Sequence, residues 1–301
     1  MRRARARNWL PGLLLVSPSV ILIAIFVYGL LGWNFKVAMS DQHHTYDNGG
    51  SFVGLKNFTG IWHRFPTWKI SVVNGLVFTL VFVGGALVLG WLLDFLMDKA
   101  IKGEAGFRSV YLFPMAVSFI ATGVVWRWLL APAPGANASG LNRMFADLGL
   151  GALQNSWWQA KTWNSGMAAI AVPAIWQMSG YIMALFLAGF RGVSEELREA
   201  ARVDGASEWK VYRYVVLPQL RPVTLSAIII LGHISLKVFD LVYAINGKGV
   251  ITEVPAIFMW FQSFDRGDPA TGATAGAYIL LAVALFVIPY LVWFVRSEKS
   301  R

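Results

Sequence analysis

Long uncharged runs alternate along this chain with short segments where charge and turn residues crowd together. The first run extends from Asn8 to Phe35, behind a basic start, MRRARARNW. It exceeds the roughly 7–15 residues of a secretory h-region and reaches the about 20 that cross a bilayer. A retained membrane helix is therefore predicted over about 10–33. Five further runs predict membrane helices over about 70–93, 107–130, 166–190, 223–244 and 271–294.

The segments between these runs differ in kind. Residues 36–69 are polar and rich in Gly and Asn, which predicts a loop. Its Asp41, His43, His44 and Asp47 are metal-type donors, but a hydrophilic loop accounts for them as well, and no metal is assigned. Asp94, Asp98, Lys99, Lys102 and Glu104 mark a short turn after the second run. A second loop, 131–161, opens on Ala-Pro-Ala-Pro-Gly, which argues against a continuing helix. The third covers about 246–269.

The sharpest break in the pattern is 191–222. Six Lys/Arg and five Asp/Glu fall between Arg191 and Arg221, a density that hydrocarbon does not tolerate. Two short helices are predicted here. Glu195 and Glu196 put negative charge in a first turn, where the helix dipole favours it. Leu197, Ala200, Ala201 and Val203 form an apolar stripe. Asp204-Gly205 supplies a left-handed stop, Ser207 is a natural N-cap for the second helix, and that helix is expected to break at Pro218.

Composition narrows the class. With 56% hydrophobic and 14% charged residues in 301, little is left for a soluble domain. The expectation is an all-α integral membrane protein, residues 1–301 forming one transmembrane domain of six spans. The net charge of +10 does not indicate nucleic acid, because sixteen of the 26 Lys/Arg lie in the termini and in the loops on the same side as them. They are Arg2, Arg3, Arg5, Arg7, Lys99, Lys102, Arg108, the six of the hairpin, Arg296, Lys299 and Arg301. The positive-inside rule then gives an N-in, C-in chain with 191–222 in the cytoplasm. Without cysteine, disulfides and thiolate metal sites are excluded.

Recognisable catalytic chemistry is missing. No G-x-x-x-x-G-K-[ST], H-E-x-x-H or G-x-S-x-G occurs, and Gly247-Lys248-Gly249 lacks phosphate-loop spacing. No catalytic residue is named. Polar groups inside the runs are few. The fourth run offers Trp176, Gln177, Ser179 and Tyr181, with Gly180 as a possible open backbone position beside Trp176. The fifth offers His233, Lys237 and Asp240, whose spacing puts them on one helical face. A Lys237–Asp240 ion pair and the lining of a solute path are both open. So, for the fourth run, are helix packing and a surface of aromatic faces and hydrogen-bonding groups suited to a sugar.

Glu199-Ala200-Ala201, Gly205 and Leu217-Pro218, with Val215 in the place of an Ile, resemble the cytoplasmic signature of ABC importer permeases. The resemblance covers nearly the whole chain. Gly54-Leu-Lys-Asn-Phe58, Tyr111-Leu-Phe-Pro-Met115, Trp176-Gln-Met-Ser-Gly180, Phe186-Leu-Ala-Gly189 and Phe239-Asp-Leu241 look like the carbohydrate-uptake class, closest to glucose/mannose-type permeases. Asn246-Gly-Lys-Gly-Val250 departs from the Gly-Gly-Gly-Pro run of many such chains.

This resemblance implies an importer subunit in the bacterial cytoplasmic (inner) membrane, not an enzyme. Its partners would be a second homologous permease, two cytoplasmic ATPases carrying ATP and Mg, and an extracytoplasmic sugar-binding protein. The hairpin would dock in the ATPase cleft through Glu199, Ala200, Ala201, Asp204, Gly205, Leu217 and Pro218. Glu199 would anchor it by contacts within the loop or to the ATPase, the alanines keep the helix thin, and Gly205 make the turn. Alternatives are the same architecture for an oligosaccharide, glycerol phosphate or a polyamine, or an ion-coupled secondary transporter.

Overall fold

The computed structural model describes residues 10–44, 46, 50–97, 103–160 and 165–299. Among them the chain is helical, its one extended pairing an isolated antiparallel bridge between Ser40 and Phe52. Arg2, Arg3, Arg5, Arg7, Asp47, Asp98, Lys99, Lys102 and Arg301 lie outside the described residues. Four helices are long and apolar enough to cross a bilayer: Pro11–Ala38, Pro66–Met97, Ser165–Phe190 and Pro269–Val292. The number rises to six if each of two sharply bent helix pairs counts as one span.

Two compact units divide the chain. The first takes Met1–Pro66 with Phe258–Tyr278. Its helix α1 runs through Leu10–Ile23, a π-helical turn at Ala24–Gly29, and Leu30–Ala38. Leu14 and Leu15 stand exposed, and none of its apolar window is buried by this chain. An all-round apolar surface of this kind is stable against lipid or another protein, not against water.

The loop expected over 36–69 contains a helix, α2, at Lys56–Arg64. Tertiary bonds hold it. Buried Asn57 donates to the carbonyls of Ala38 (3.0 Å) and Ser40 (2.6 Å). Trp62 Nε1 donates to the Tyr278 hydroxyl, which donates to the Phe58 carbonyl, both at 3.0 Å. His43 pairs with Asp268 at 3.0 Å, and Asp268 also accepts from the Thr271 amide.

The second unit holds Thr67–Ile257 and Ile279–Arg301. Its long helix α3, Pro66–Met97, buries a stripe of Ser71, Asn74, Phe78, Phe82, Ala86, Gly90 and Asp94. The third apolar run is not one helix. Glu104–Leu112 (α4) tightens into a 3-10 turn at Phe113–Ala116, and Phe119–Leu129 (α5) leaves at 96°. Pro114 lacks the amide that would continue α4, and the Ser118 hydroxyl accepts from the Ala121 amide to start α5.

The second loop carries a further helix, α6, at Gly140–Asp147, while Ala131–Pro134 stays non-helical. Asn142 organises this loop, donating to the carbonyls of Ala131 and Asn155 and accepting from Trp157 Nε1. Helix α7, Ser165–Phe190, keeps Pro173 inside it. Gly180 is not an open position. A Cβ there would lie 1.8 Å from the Tyr111 carbonyl oxygen, so α4 and α7 cross where only glycine fits.

The fifth run also departs from expectation. Helix α10, Arg221–Leu236, stops, and a separate helix α11 covers Asp240–Asn246. Lys237 sits at the stop with ψ near 19°, so His233, Lys237 and Asp240 do not share one continuous helical face. Pro255–Trp260 (α12) then leads into Pro269–Lys299 (α13).

Candidate functional site

The charged hairpin folds as two helices, Glu195–Val203 (α8) and Glu208–Val211 (α9). Gly205 makes the turn at φ +80°, a left-handed conformation that costs other residues about 1–2 kcal/mol. Its amide bonds the Arg202 carbonyl, and the Ala206 amide bonds that of Ala201, satisfying carbonyls that end α8. Ser207 occupies the N-cap place of α9, but its side chain makes no capping bond.

Arg202 fastens the two helices. It donates to Glu208 at 2.8 Å and Glu195 at 3.0 Å, while Arg198 bonds Glu195 at 2.9 Å and lies 4.4 Å over the Phe190 ring. Hydrogen bonds accepted by Glu208, then Glu195, raise the Arg202 pKa above its ordinary value. The guanidinium therefore keeps its charge until pH rises through that raised value. Each exposed pair is worth little alone, but together they fix the angle of α8 on α9.

The second helix does not break at Pro218. A π-helical turn, Tyr212–Val216, leads into Leu217–Gln219, and the chain bends by 68° only before Arg221. The wider turn eases the clash of the proline ring with the carbonyl four residues back.

Most of the residues expected to dock lie on the surface these elements leave uncovered. Glu199, Ala200, Asp204, Gly205 and Pro218 are exposed, and Ala201 and Leu217 are half-buried. Val203, counted in the apolar stripe, is 87% exposed, and Leu197 is also exposed. Glu199 does not brace the loop: the internal pairs belong to Arg198, Arg202, Glu195 and Glu208, and among the described residues Glu199 joins none of them.

A cavity of about 340 Å³ in the same unit is lined by Phe78, Phe82, Phe119, Ala174, Ile234, Lys237, Val238, Phe239, Asp240 and Leu241. Mostly apolar walls with a few polar groups are the usual make-up of a small-molecule site. Lys237 and Asp240 come to its lining from the end of α10 and the start of α11, and both are exposed. Among the described residues no ion pair joins them.

Of the seven polar residues singled out in the runs, the structure brings only Lys237 and Asp240 to this cavity. Trp176 is partly exposed and meets Trp126 at 6.0 Å between ring centroids. Gln177 is buried and donates to the Val117 carbonyl; Ser179 bonds back to the Trp176 carbonyl at 3.2 Å. Tyr181 packs against the core, and His233 is half-buried on α10. The rings of Phe78, Phe82, Phe119 and Phe239 were missed. In runs that are apolar on every side, periodicity does not separate a cavity-facing ring from a lipid-facing one.

Residues 86–299 match the family described as binding-protein-dependent transport system inner membrane component. A probable ABC transporter permease protein of Pyrococcus horikoshii is 38% identical over 289 residues, covering 95% of this chain and 96% of that one. The xylose/arabinose import permease protein XacH of Haloferax volcanii is 33% identical, with 90% and 84% covered. A crystal structure of a bacterial ABC transporter involved in import of the acidic polysaccharide alginate contains a chain of the same fold. Its TM-score is 0.77, its identity 17%, and 96% of each chain is covered.

Proposed function

Since the chain belongs to the family of binding-protein-dependent transport inner membrane components, we propose that it is the permease subunit of an ATP-driven sugar importer. The single observation that carries this reading is the exposed surface of α8 and its turn, where Glu199, Ala200 and Gly205 stand outside the Arg202 pairs that brace the hairpin. A braced hairpin with a thin free face suits docking into a cleft of a cytoplasmic ATPase.

On this reading residues 1–301 form one transmembrane domain with six spans, each bent pair serving as one, and both termini lie inside. The chain sits in a bacterial cytoplasmic membrane beside a second homologous permease. Two ATPases bind below, and a sugar-loaded binding protein docks outside. ATP favours the state in which the ATPases close, and the hairpin converts that difference in affinity into a change of cavity exposure.

The aromatic cavity with Lys237 and Asp240 is the place proposed for the solute within this subunit. Rings offer faces to the C–H side of a pyranose, and the two polar groups suit hydroxyls. Trp176, Gln177, Ser179, Tyr181 and His233 then act around the path without lining this cavity. A hexose of the glucose/mannose type is the specific solute proposed. The XacH relative makes pentoses the sugar class to test against it.

The test is radiolabelled sugar uptake into proteoliposomes holding this chain, a sister permease and the ATPases, with binding protein outside and ATP inside. Saturable, ATP-dependent uptake competed by mannose is expected. Competition by xylose or arabinose alone would move the solute to pentoses. Uptake with the ATPases omitted would overturn the importer reading.

A further inference from the structure

Asp94 is fully buried near the end of α3, and the Tyr212 hydroxyl donates to its Oδ2 at 2.7 Å. Tyr212 belongs to the hairpin, 118 residues further along the chain. Its ring is caged. Phe95 lies 4.9 Å away edge-on, Trp91 5.6 Å away, and Phe190 stacks on it at 5.7 Å. Trp209 closes the cluster against Trp91 and Phe95. A hydroxyl bonded to a carboxyl inside an aromatic cage is a directional joint, because rings slide over one another more readily than such a bond stretches.

The helix carrying this joint reaches the cavity. Phe78, Phe82, Ala86, Gly90 and Asp94 follow one another every fourth residue on the buried stripe of one unbroken helix. At 1.5 Å per residue, Asp94 stands about 18 Å along the axis from Phe82 and about 24 Å from Phe78. Phe78 and Phe82 stack at 5.4 Å and both line the cavity. Beyond them, Asn74 donates to the carbonyls of Ile251 (3.0 Å) and Glu253 (2.9 Å), tying the far part of the helix to the third loop.

We propose that the Tyr212–Asp94 joint makes α3 a lever, carrying displacement of the hairpin to the Phe78–Phe82 wall of the cavity. Helices α7 and α10 follow the hairpin because the backbone connects them to it. Helix α3 has no direct backbone link to it, and the joint supplies the directional bond among its aromatic contacts with the hairpin. Tyr212 and Asp94 are positioning residues, acting through the helix on the wall. The inference rests on the importer reading for its function, and on the joint alone for its geometry.

The test uses Tyr212→Phe, which keeps the ring and removes the hydroxyl, with Asp94→Asn and the double variant, in the reconstituted complex. Solute moved per ATP hydrolysed is expected to fall about tenfold in Tyr212→Phe, while the ATPase rate changes less than about twofold. The double variant should be no worse than the more affected single one. An unchanged ratio in Tyr212→Phe overturns the lever. A parallel fall in uptake, ATPase rate and assembly yield also overturns it, as a structural bond alone does that. If the wild-type complex shows no ATP-dependent uptake, the importer reading fails instead. The joint is then read in the purified chain, where additive melting shifts for the two variants would refute it.

Discussion

Gln177 donates its side-chain amide to the carbonyl of Val117, sixty residues earlier and at the break between α4 and α5. That carbonyl has left the α4 ladder, and within a membrane no water replaces the lost bond. A residue picked out as a sugar ligand thus holds the 96° bend between α4 and α5.

Gln177→Leu should therefore cost about 1–3 kcal/mol, the penalty of an unsatisfied buried polar group. Thermal unfolding in detergent measures it. An unchanged melting temperature would mean that the Val117 carbonyl finds another donor.

Gly180→Ala addresses the crossing beside that bend. The obstructing atom is backbone, the Tyr111 carbonyl oxygen, so no side chain can rotate away. The helices must move apart, at about 1–3 kcal/mol or more. Poor recovery of folded Gly180→Ala is expected, and wild-type yield and melting temperature would contradict the close crossing.

Legibility followed the physical contrast between segments. Water against hydrocarbon is a large difference, and the apolar runs marked the helices Pro66–Met97, Ser165–Phe190 and Pro269–Val292 to within a few residues. The hairpin was readable because its charges exclude it from hydrocarbon and Gly205 carries a backbone constraint of its own, whereas the break expected at Pro218 comes only before Arg221. Breaks inside apolar runs were not. The one at Val117–Ser118 is held by the bond of Gln177, which sequence spacing does not encode, and the one at Lys237–Phe239 carries no glycine or proline to mark it. Helix Lys56–Arg64 was hidden for the same reason: bonds of its Asn57 to Ser40 and of its Phe58 to Tyr278 tie it to residues far off in the chain. At the cavity, Lys237 and Asp240 stood out as charges in an apolar run, whereas its four phenylalanines looked like any others.

The turn of the hairpin separates conformation from chemistry. Gly205→Val should disrupt coupling and cost about 1–2 kcal/mol, since a β-branched residue avoids positive φ. Asn, which enters the left-handed region more easily, should restore much of the uptake. Equal loss in Asn and Val variants would point to the glycine's size instead of its backbone.

Glu199→Lys probes the free face. Glu199 is exposed and stands outside the Arg202 network, so the melting temperature of the chain should not change. Affinity for the ATPase subunits should fall by about tenfold or more, as expected for reversing a charge at a docked surface. Co-purification with the ATPases and uptake in proteoliposomes measure the two effects. Arg202→Ala makes the complementary case, loosening α8 on α9 and lowering both stability and uptake. Loss of stability in Glu199→Lys would place that carboxylate inside the hairpin after all.

The charges of the cavity discriminate among solutes. A neutral sugar needs Lys237 and Asp240 as hydrogen-bonding groups, so Asp240→Asn and Lys237→Gln should each lower uptake by about tenfold without reversing preference. A phosphate ester needs the ammonium as a charge, and Asp240 opposes it. For such a solute Lys237→Gln would be far more damaging, while Asp240→Asn would raise uptake. Competition assays with glucose, xylose and glycerol phosphate across both variants separate these outcomes. A gain in Asp240→Asn confined to the anionic solute would overturn the sugar assignment and leave the importer architecture standing.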